Sequence, residues 1–190
     1  MPFNVPLLLT WARIAAIPAI VGVFYLPAGW LAPFWQNNIA CWLFVAAAIT
    51  DALDGWYARK YGQITPLGAF LDPVADKLIV CAALIVLLAL DRVDAFVSLV
   101  IIGREIAISA LREWMALVGA ARSVAVNWLG KAKTIAQMVA IPMLLFHDPL
   151  FGLIPVAQIG TLLIYVAAAL TVYSMFYYLR LAAPHLRGEV

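Results

Sequence analysis

The chain has 190 residues, of which 66% are hydrophobic and only 12% are charged, and its formal net charge is +2. A soluble domain of this length could not bury so much apolar surface, and so small a positive charge gives no reason to expect a nucleic-acid partner. The composition therefore predicts a protein whose solvent is largely lipid.

Several apolar runs approach the roughly 20 residues that a helix needs to cross a bilayer. In chain order, the predicted spans cover about residues 7–27, 39–60, 71–90, 94–117, 129–147 and 155–181. The connections between them are too short for a soluble domain. We therefore predict an all-α integral membrane protein, with residues 1–190 forming a single domain and six transmembrane helices in one bundle.

The basic residues predict which side of the membrane each loop occupies. With six spans, both termini share a side with the loops after the second and fourth spans. The basic residues of that side are Arg59, Lys60, Arg122, Lys131, Lys133, Arg180 and Arg187. The opposite loops contain Arg92 alone. Because cytoplasmic loops carry an excess of Lys and Arg, both termini are predicted to be cytoplasmic.

Four aspartates lie at the facing ends of the second and third predicted spans, where a charged side chain is energetically unfavourable. Asp51 and Asp54 are spaced i, i+3, and Asp72 and Asp76 are spaced i, i+4, so each pair shares one helix face. Asp51 lies about nine residues before the intervening turn and Asp76 about nine after it, which puts both pairs roughly 10 Å below the turn. An antiparallel hairpin of these spans is predicted to bring the four carboxylates together.

Four adjacent carboxylates repel one another and cannot all remain ionised without cations. Two divalent ions would neutralise them, and the all-oxygen ligand set favours Mg²⁺ or Mn²⁺ over Zn²⁺. A pair of such ions can clamp phosphate during an in-line displacement. Two alternatives stay open at this point. The acids could form an ion or proton pathway, or they could pair with Arg59, Arg104 and Arg112.

Two glycines leave the acidic face of each span open to a ligand. Gly55 lies one turn after Asp51 and Gly68 one turn before Asp72, so no side chain there blocks approach to the backbone. Arg59 lies one turn after Gly55 and can bind phosphate through two hydrogen bonds. These residues favour catalysis, although either glycine could be a packing residue and Arg59 a charge that only sets topology.

Residues 51–76, DALDGWYARKYGQITPLGAFLDPVAD, match the signature D-x2-D-G-x2-A-R-x8-G-x3-D-x3-D at every fixed position. By this motif the chain resembles the CDP-alcohol phosphatidyltransferase family. The resemblance implies a six-helical, metal-dependent and usually homodimeric enzyme that moves a phosphatidyl group from CDP-diacylglycerol onto an alcohol. It also implies a multi-pass protein of the bacterial inner (cytoplasmic) membrane, with its active site facing the cytoplasm.

The family's functional residues carry over position by position. The residues implied to bind two Mg²⁺ or Mn²⁺ ions are Asp51, Asp54, Asp72 and Asp76. Asp76 is also implied to be the catalytic base that deprotonates the acceptor hydroxyl. The residues implied to contact CDP-diacylglycerol are Thr10, Gly55, Arg59, Thr65 and Gly68. Related enzymes use N-x-x-T near the first span, and here only Thr10 of Leu7-Leu8-Leu9-Thr10 matches that pattern.

Further stretches narrow the choice of acceptor. The opening NVPLLLTWARIAAIP and the stretches GREIAISALREW (103–114) and SVAVNWLGKAKTIAQM (123–138) resemble the branch of the family that uses glycerol 3-phosphate. A phosphate dianion beside four carboxylates needs cations of its own. The residues predicted to bind glycerol 3-phosphate are Arg104, Arg112, Lys131, Lys133 and Lys77. Alternatively, Arg104 pairs with Glu105 or a neighbouring helix, and the lysines only set topology.

The reaction implied by the resemblance is attack of the acceptor hydroxyl on the β-phosphorus of CDP-diacylglycerol, giving phosphatidylglycerophosphate and CMP. No Ser, Cys or His accompanies the aspartates as a nucleophile, which favours direct displacement over a covalent intermediate. The same chemistry with inositol phosphate, serine or phosphatidylglycerol stays open, although serine and phosphatidylglycerol supply no free phosphate dianion. An ion or proton transporter is the distant alternative. We expect a homodimer surrounded by membrane lipid and no nucleic-acid partner.

Overall fold

A computed structural model describes residues 5–61, 65–119 and 128–186. The described residues form six α-helices: α1 (Val5–Val23), α2 (Pro33–Tyr61), α3 (Pro66–Ala89), α4 (Ala95–Leu117), α5 (Trp128–Phe146) and α6 (Val156–Leu186). They contain no β-strand, only an isolated bridge between Leu150 and Ile154. The predicted all-α class is confirmed, and each predicted span overlaps with one helix.

Polar caps begin two of the helices that carry the charged residues. The Thr65 hydroxyl accepts a hydrogen bond from the Gly68 amide at 3.1 Å, and Pro66 occupies the first turn of α3, where its missing amide hydrogen costs nothing. Asp94 caps α4 by accepting from the Phe96 amide at 2.8 Å. These caps fix where the acidic residues of α3 and the basic residues of α4 fall along the bundle.

Among the described residues, three helices are long and apolar enough by themselves to cross a membrane. The qualifying segments are Pro6–Val23 of α1, Pro33–Gly55 of α2 and Val156–Pro184 of α6. Helix α5 contributes a shorter apolar segment, Ala132–Phe146. Helices α3 and α4, with 24 and 23 residues, are long enough to span but contain three and four charged residues, respectively. The six-span bundle and the cytoplasmic termini therefore stay predictions.

The helices pack around one large apolar core. Helix α1 packs against α2 and α3, α5 packs against α6 and α2, and α4 packs against α6. Fully buried side chains of the core include Ile20, Phe44, Leu84, Ile101 and Leu144. A smaller separate cluster joins α4 and α6 through Ile108, Met115, Tyr178 and Ala182. This second cluster lies beside the basic residues of α4.

Gly160 allows α6 to approach α5 closely. A Cβ atom at this position would lie 3.0 Å from Leu144 Cγ and 3.1 Å from Met143 Cβ, closer than side chains normally pack. Small residues are common where helices meet in membranes, because close backbone approach increases the van der Waals contact that holds such helices together.

Arg92, in the loop between α3 and α4, forms hydrogen bonds with α2 and α5 at the end of the bundle opposite the aspartates. Its guanidinium donates to the carbonyls of Leu144 and Leu145, at 3.1 and 2.9 Å, and to Asn37 Oδ1 at 2.8 Å. Asn37 in turn donates to Asp148 at 3.3 Å. The arginine thereby satisfies carbonyls at the C-terminal end of α5 and joins that end to α2.

Candidate active site

The four aspartates gather around two side chains of α1. Arg13 Nη1 lies 3.0 Å from Asp51 Oδ1 and 2.6 Å from Asp76 Oδ1, and its Nη2 lies 2.5 Å from Asp54 Oδ2. One turn earlier, the Thr10 hydroxyl donates to Asp72 Oδ1 at 2.5 Å. The structure therefore brings the two carboxylate pairs together, as their spacing predicts, with α1 as the element that joins them.

Exposure divides the carboxylates into two kinds. Arg13 and Asp54 are only 2% and 3% exposed. The side chains of Asp51 and Asp76 are 42% and 38% exposed. A buried guanidinium is tolerated only where it is well compensated by charge and hydrogen bonds. Asp54 therefore anchors the arginine, while Asp51 and Asp76 remain accessible to a ligand.

The contacts of Arg13 with the aspartates were not predicted from the sequence. The sequence offered one signal, because Thr10 and Arg13 are spaced i, i+3 and so share a face of α1. A contact of Thr10 with the site therefore implied that Arg13 points to the same side.

The aspartates have the right chemistry for a hard divalent cation. Their donors are all carboxylate oxygens, and three of the four carboxylates already surround a single positive centre. As they stand, no three Asp, Glu, His or Cys side chains in the described part of the chain are arranged to hold a metal ion. The Arg13 guanidinium contacts oxygens of three of the four carboxylates. The donor set fits a divalent ion once those oxygens are released.

A cavity of about 360 Å³ opens beside Asp51 and Asp76. The basic residues that line it are Lys77 of α3, Arg104 and Arg112 of α4, and Lys133 of α5. A neighbouring cavity of about 270 Å³ shares Asp51 and Asp76 with the first and adds Arg13 together with apolar side chains of α2 and α3. The first cavity is thus lined both by aspartates and by basic residues. We call the four aspartates together the acidic wall, and the four basic residues that line the cavity the basic wall.

The basic wall is held by contacts within and behind it. Arg104 Nη1 lies 3.4 Å from Glu105 Oε1, and Lys133 Nζ pairs with the same carboxylate oxygen. Behind the wall, Arg104 Nη2 donates to Ser174 Oγ at 3.0 Å and Arg112 Nη2 donates to the Tyr178 hydroxyl at 3.3 Å. Arg104 therefore does pair with Glu105 and with a neighbouring helix, but it also lines the cavity.

Thr65 and Gly68 are placed together at the start of α3. The Thr65 hydroxyl is engaged in the helix cap, and a Cβ at Gly68 would lie 3.0 Å from that oxygen. Both residues thus set the position of Asp72, one turn further on. Gly55 follows Asp54 on α2 and is partly buried. Contact of these residues with a donor stays a prediction.

Two of the predicted site residues, Arg59 and Lys131, lie in α2 and α5, but their side chains fall outside the described residues. The contacts and cavity positions of the other predicted residues are described. Roles in metal, donor and acceptor binding stay predictions for all of them.

The sequence profile of one family covers most of the chain. A profile described as CDP-alcohol phosphatidyltransferase matches residues 3–173, which include all four aspartates and the basic wall. The chain belongs to the CDP-alcohol phosphatidyltransferase family. Members of this family generally depend on divalent metal ions, in agreement with the oxygen-only donor set of the acidic wall.

Relatives within the family match the chain from end to end. The chain is 48% identical over 192 residues, covering 100% of both proteins, to the "CDP-diacylglycerol–glycerol-3-phosphate 3-phosphatidyltransferase" of Shigella flexneri serotype 5b (strain 8401) and to that of Escherichia coli (strain K12). It is 49% identical over 188 residues, covering 97% of each protein, to the protein of the same name from Pectobacterium atrosepticum. The similarity therefore includes α6, which the family profile covers only in part.

Proposed function

We propose that this chain transfers the phosphatidyl group of CDP-diacylglycerol to sn-glycerol 3-phosphate, giving phosphatidylglycerophosphate and CMP. Full-length relatives at 48% and 49% identity bear the name of this activity. The observation that carries the proposal is one cavity that is lined both by Asp51 and Asp76 and by Arg104, Arg112 and Lys133. Such a cavity can hold a reacting hydroxyl and a phosphate dianion at the same time.

The acidic wall supplies the chemistry of the transfer. Asp51, Asp54, Asp72 and Asp76 would hold two Mg²⁺ or Mn²⁺ ions, which supply Lewis acidity toward the donor's diphosphate and stabilise charge on the departing CMP. The Asp76 carboxylate, which lines the cavity, takes the proton from the acceptor's primary hydroxyl. Direct displacement at the β-phosphorus follows, because no nucleophilic Ser, Cys or His lines this cavity among the described residues.

The basic wall binds the acceptor's phosphate. Arg104 and Arg112 offer planar guanidinium groups that can form paired hydrogen bonds to phosphate oxygens, and Lys133 and Lys77 add charge. Lys131, in the first turn of α5, completes the proposed acceptor set. The proposed contacts with the donor are those of Thr10, Gly55, Arg59, Thr65 and Gly68.

The membrane arrangement belongs to the same proposal. All six helices span the bilayer of a bacterial inner membrane, both termini are cytoplasmic, and the protein is a homodimer. The loop basic residues support this orientation, which opens the site toward cytosolic glycerol 3-phosphate while the donor's acyl chains stay in lipid. An ion or proton transporter is disfavoured, because it would not need the family's glycine and arginine positions.

The test is an acceptor panel with the purified protein in detergent or nanodiscs. CDP-diacylglycerol is supplied with glycerol 3-phosphate, inositol phosphate, serine or phosphatidylglycerol, and CMP release and the lipid product are measured. We expect CMP only with glycerol 3-phosphate. Turnover with inositol phosphate instead would overturn the acceptor but not the transferase, and no CMP with any acceptor would overturn both.

A matched pair of variants makes the assay specific for the site. Asp51→Asn removes a carboxylate of the acidic wall and should abolish CMP release. Asp91→Asn removes a carboxylate from the α3–α4 loop at a position with φ of 54°, which asparagine tolerates, and should leave the rate unchanged.

A further inference from the structure

Tyr178 of α6 lies against both arginines of the basic wall. Its ring centroid is 5.2 Å from Arg112 Cζ and 6.0 Å from Arg104 Cζ, and its hydroxyl accepts a hydrogen bond from Arg112 Nη2 at 3.3 Å. The residue is 1% exposed and does not line the cavity. Tyr178 can therefore act on a ligand in the cavity through its contacts with the two arginines.

The two arginines carry like charges and contact the same aromatic ring. Arg104 and Arg112 are spaced i, i+8, so they lie on one face of α4, two turns apart. The face of an aromatic ring is electron-rich and attracts cations, so one ring can stabilise both guanidinium groups. An acidic side chain at this position would also stabilise them, but it would take up their N–H donors and cancel their charge.

Ser174 supports the same arrangement one turn earlier on α6. Its hydroxyl accepts from Arg104 Nη2 at 3.0 Å and donates to the carbonyl of Thr171 at 3.0 Å, so its orientation is fixed. Ser174 is also 1% exposed and absent from the cavity lining. Helix α6 thus contacts the arginines through Tyr178 and Ser174, and we call these two residues the back wall.

Donors remain for a ligand after these contacts are made. Among the described residues, Nε of Arg104 and Nε of Arg112 are buried without a hydrogen-bond partner. An unsatisfied buried donor is costly, and an anion in the cavity that both residues line would supply the missing acceptors. Contacts with the back wall therefore leave both arginines with N–H groups that can still donate to a ligand.

We infer that Tyr178, assisted by Ser174, is a positioning residue that orients Arg104 and Arg112 toward the phosphate of the acceptor. The inference rests on the proposed function, because it assumes that the basic wall binds a phosphorylated alcohol. It extends the site to α6, so that acceptor recognition depends on a helix that contributes no described side chain to the cavity lining.

Three variants test the positioning role. Tyr178→Leu removes the ring and should raise the KM for glycerol 3-phosphate about tenfold, while the KM for CDP-diacylglycerol changes less than about twofold. Tyr178→Phe keeps the ring and should restore most of the acceptor affinity, within about threefold of the unmodified enzyme. Tyr173→Leu, a control on the same helix at a side chain that is 61% exposed, should change neither constant.

The outcomes separate this inference from the proposed function. If the enzyme uses glycerol 3-phosphate but Tyr178→Leu changes both KM values equally, or neither, the inference fails and the proposed function stands. If the enzyme instead uses another phosphorylated acceptor, the proposed acceptor fails, and a selective rise in KM for the acceptor actually used still supports Tyr178.

Ser174→Ala provides a second test of the positioning role if Tyr178→Leu does not fold. This variant removes one hydrogen bond to Arg104 and leaves the ring in place. A rise of about threefold in the acceptor KM alone supports the positioning role, and an unchanged KM overturns it.

Discussion

The guanidinium of Arg13 lies 2.5 Å from the carboxylate of Asp54, and both side chains are buried between α1 and α2. The same guanidinium reaches Asp51 and Asp76. One cation of α1 therefore compensates acids from both α2 and α3. Helix α1 therefore contributes the cation that contacts the carboxylates of the acidic wall.

Arg13→Ala should destabilise the protein. Removing one partner of a buried ion pair leaves the other charge uncompensated, which costs about 3 kcal/mol or more in the free energy of unfolding. Arg13→Lys should recover only part of this loss, because a single ammonium group cannot span three carboxylates. Thermal unfolding in detergent measures the effect, with the exposed Arg180→Ala as control. Equal unfolding temperatures for Arg13→Ala and Arg180→Ala would contradict the prediction.

Removal of divalent metal should abolish activity. Chelation with EDTA is expected to stop CMP release, and added Mg²⁺ or Mn²⁺ to restore it, because the acidic wall needs cations to approach a diphosphate. Asp51→Ala, Asp54→Ala and Asp72→Ala should each lower the rate by orders of magnitude, whereas Asp91→Asn should not. Undiminished turnover in metal-free buffer would refute the metal-assisted scheme.

Asp76→Asn should affect the chemical step more than donor binding. General base catalysis contributes about 10²- to 10⁴-fold, so kcat should fall by at least about 10². Binding of CDP-diacylglycerol, measured directly in the absence of acceptor, should weaken much less. A near-normal kcat would remove Asp76 from the role of base.

Arg112→Ala should weaken the acceptor selectively. We expect the KM for glycerol 3-phosphate to rise at least about tenfold, equivalent to a loss of about 1.4 kcal/mol. Lys133→Ala should have a smaller effect, because a lysine contact is less directional and because Lys133 also pairs with Glu105. The KM for CDP-diacylglycerol provides the internal control. Equal weakening of both substrates would identify these cations as general structural charges.

Cysteine labelling should reveal the predicted topology. In a background without Cys41 and Cys81, cysteines at Gln63 and Ala121 are expected to react only from the cytoplasmic side. Leu153, 86% exposed in the α5–α6 loop, is a better probe of the other side than Arg92, whose side chain is hydrogen-bonded to Leu144 and Leu145. The reverse labelling pattern would place the site away from cytosolic glycerol 3-phosphate.

Features that depend on local spacing were predictable from the sequence. The helices follow from apolar runs, and the convergence of the carboxylates follows from the positions of Asp51 and Asp76 on either side of one turn. Helix ends were less accurate. Helix α2 begins at Pro33, not near residue 39, and so includes polar residues before the apolar run, among them Gln36, which donates to the carbonyl of Leu26 at 2.8 Å.

Features that depend on tertiary packing could not be predicted. Arg13 joins the aspartates because α1 packs against both α2 and α3. Tyr178 meets Arg112 across 66 residues of chain, and no local pattern marks such a contact. A tyrosine in an apolar helix looks like an interfacial or core residue until the facing helix is known.

The lining of the cavity has a further consequence for the orientation of a bound molecule. Of the described side chains that line it, four are positive (Lys77, Arg104, Arg112 and Lys133) and three are negative (Asp51, Asp76 and Glu105). The charges in this space are therefore nearly balanced, with Asp51 and Asp76 contributed by α2 and α3 and both arginines contributed by α4. Glycerol 3-phosphate is polar in the complementary way, with an anionic phosphate at one end and an uncharged hydroxyl at the other. In the proposed binding mode, with the phosphate on the arginines and the primary hydroxyl at Asp76, the charges of the cavity would help to orient the acceptor.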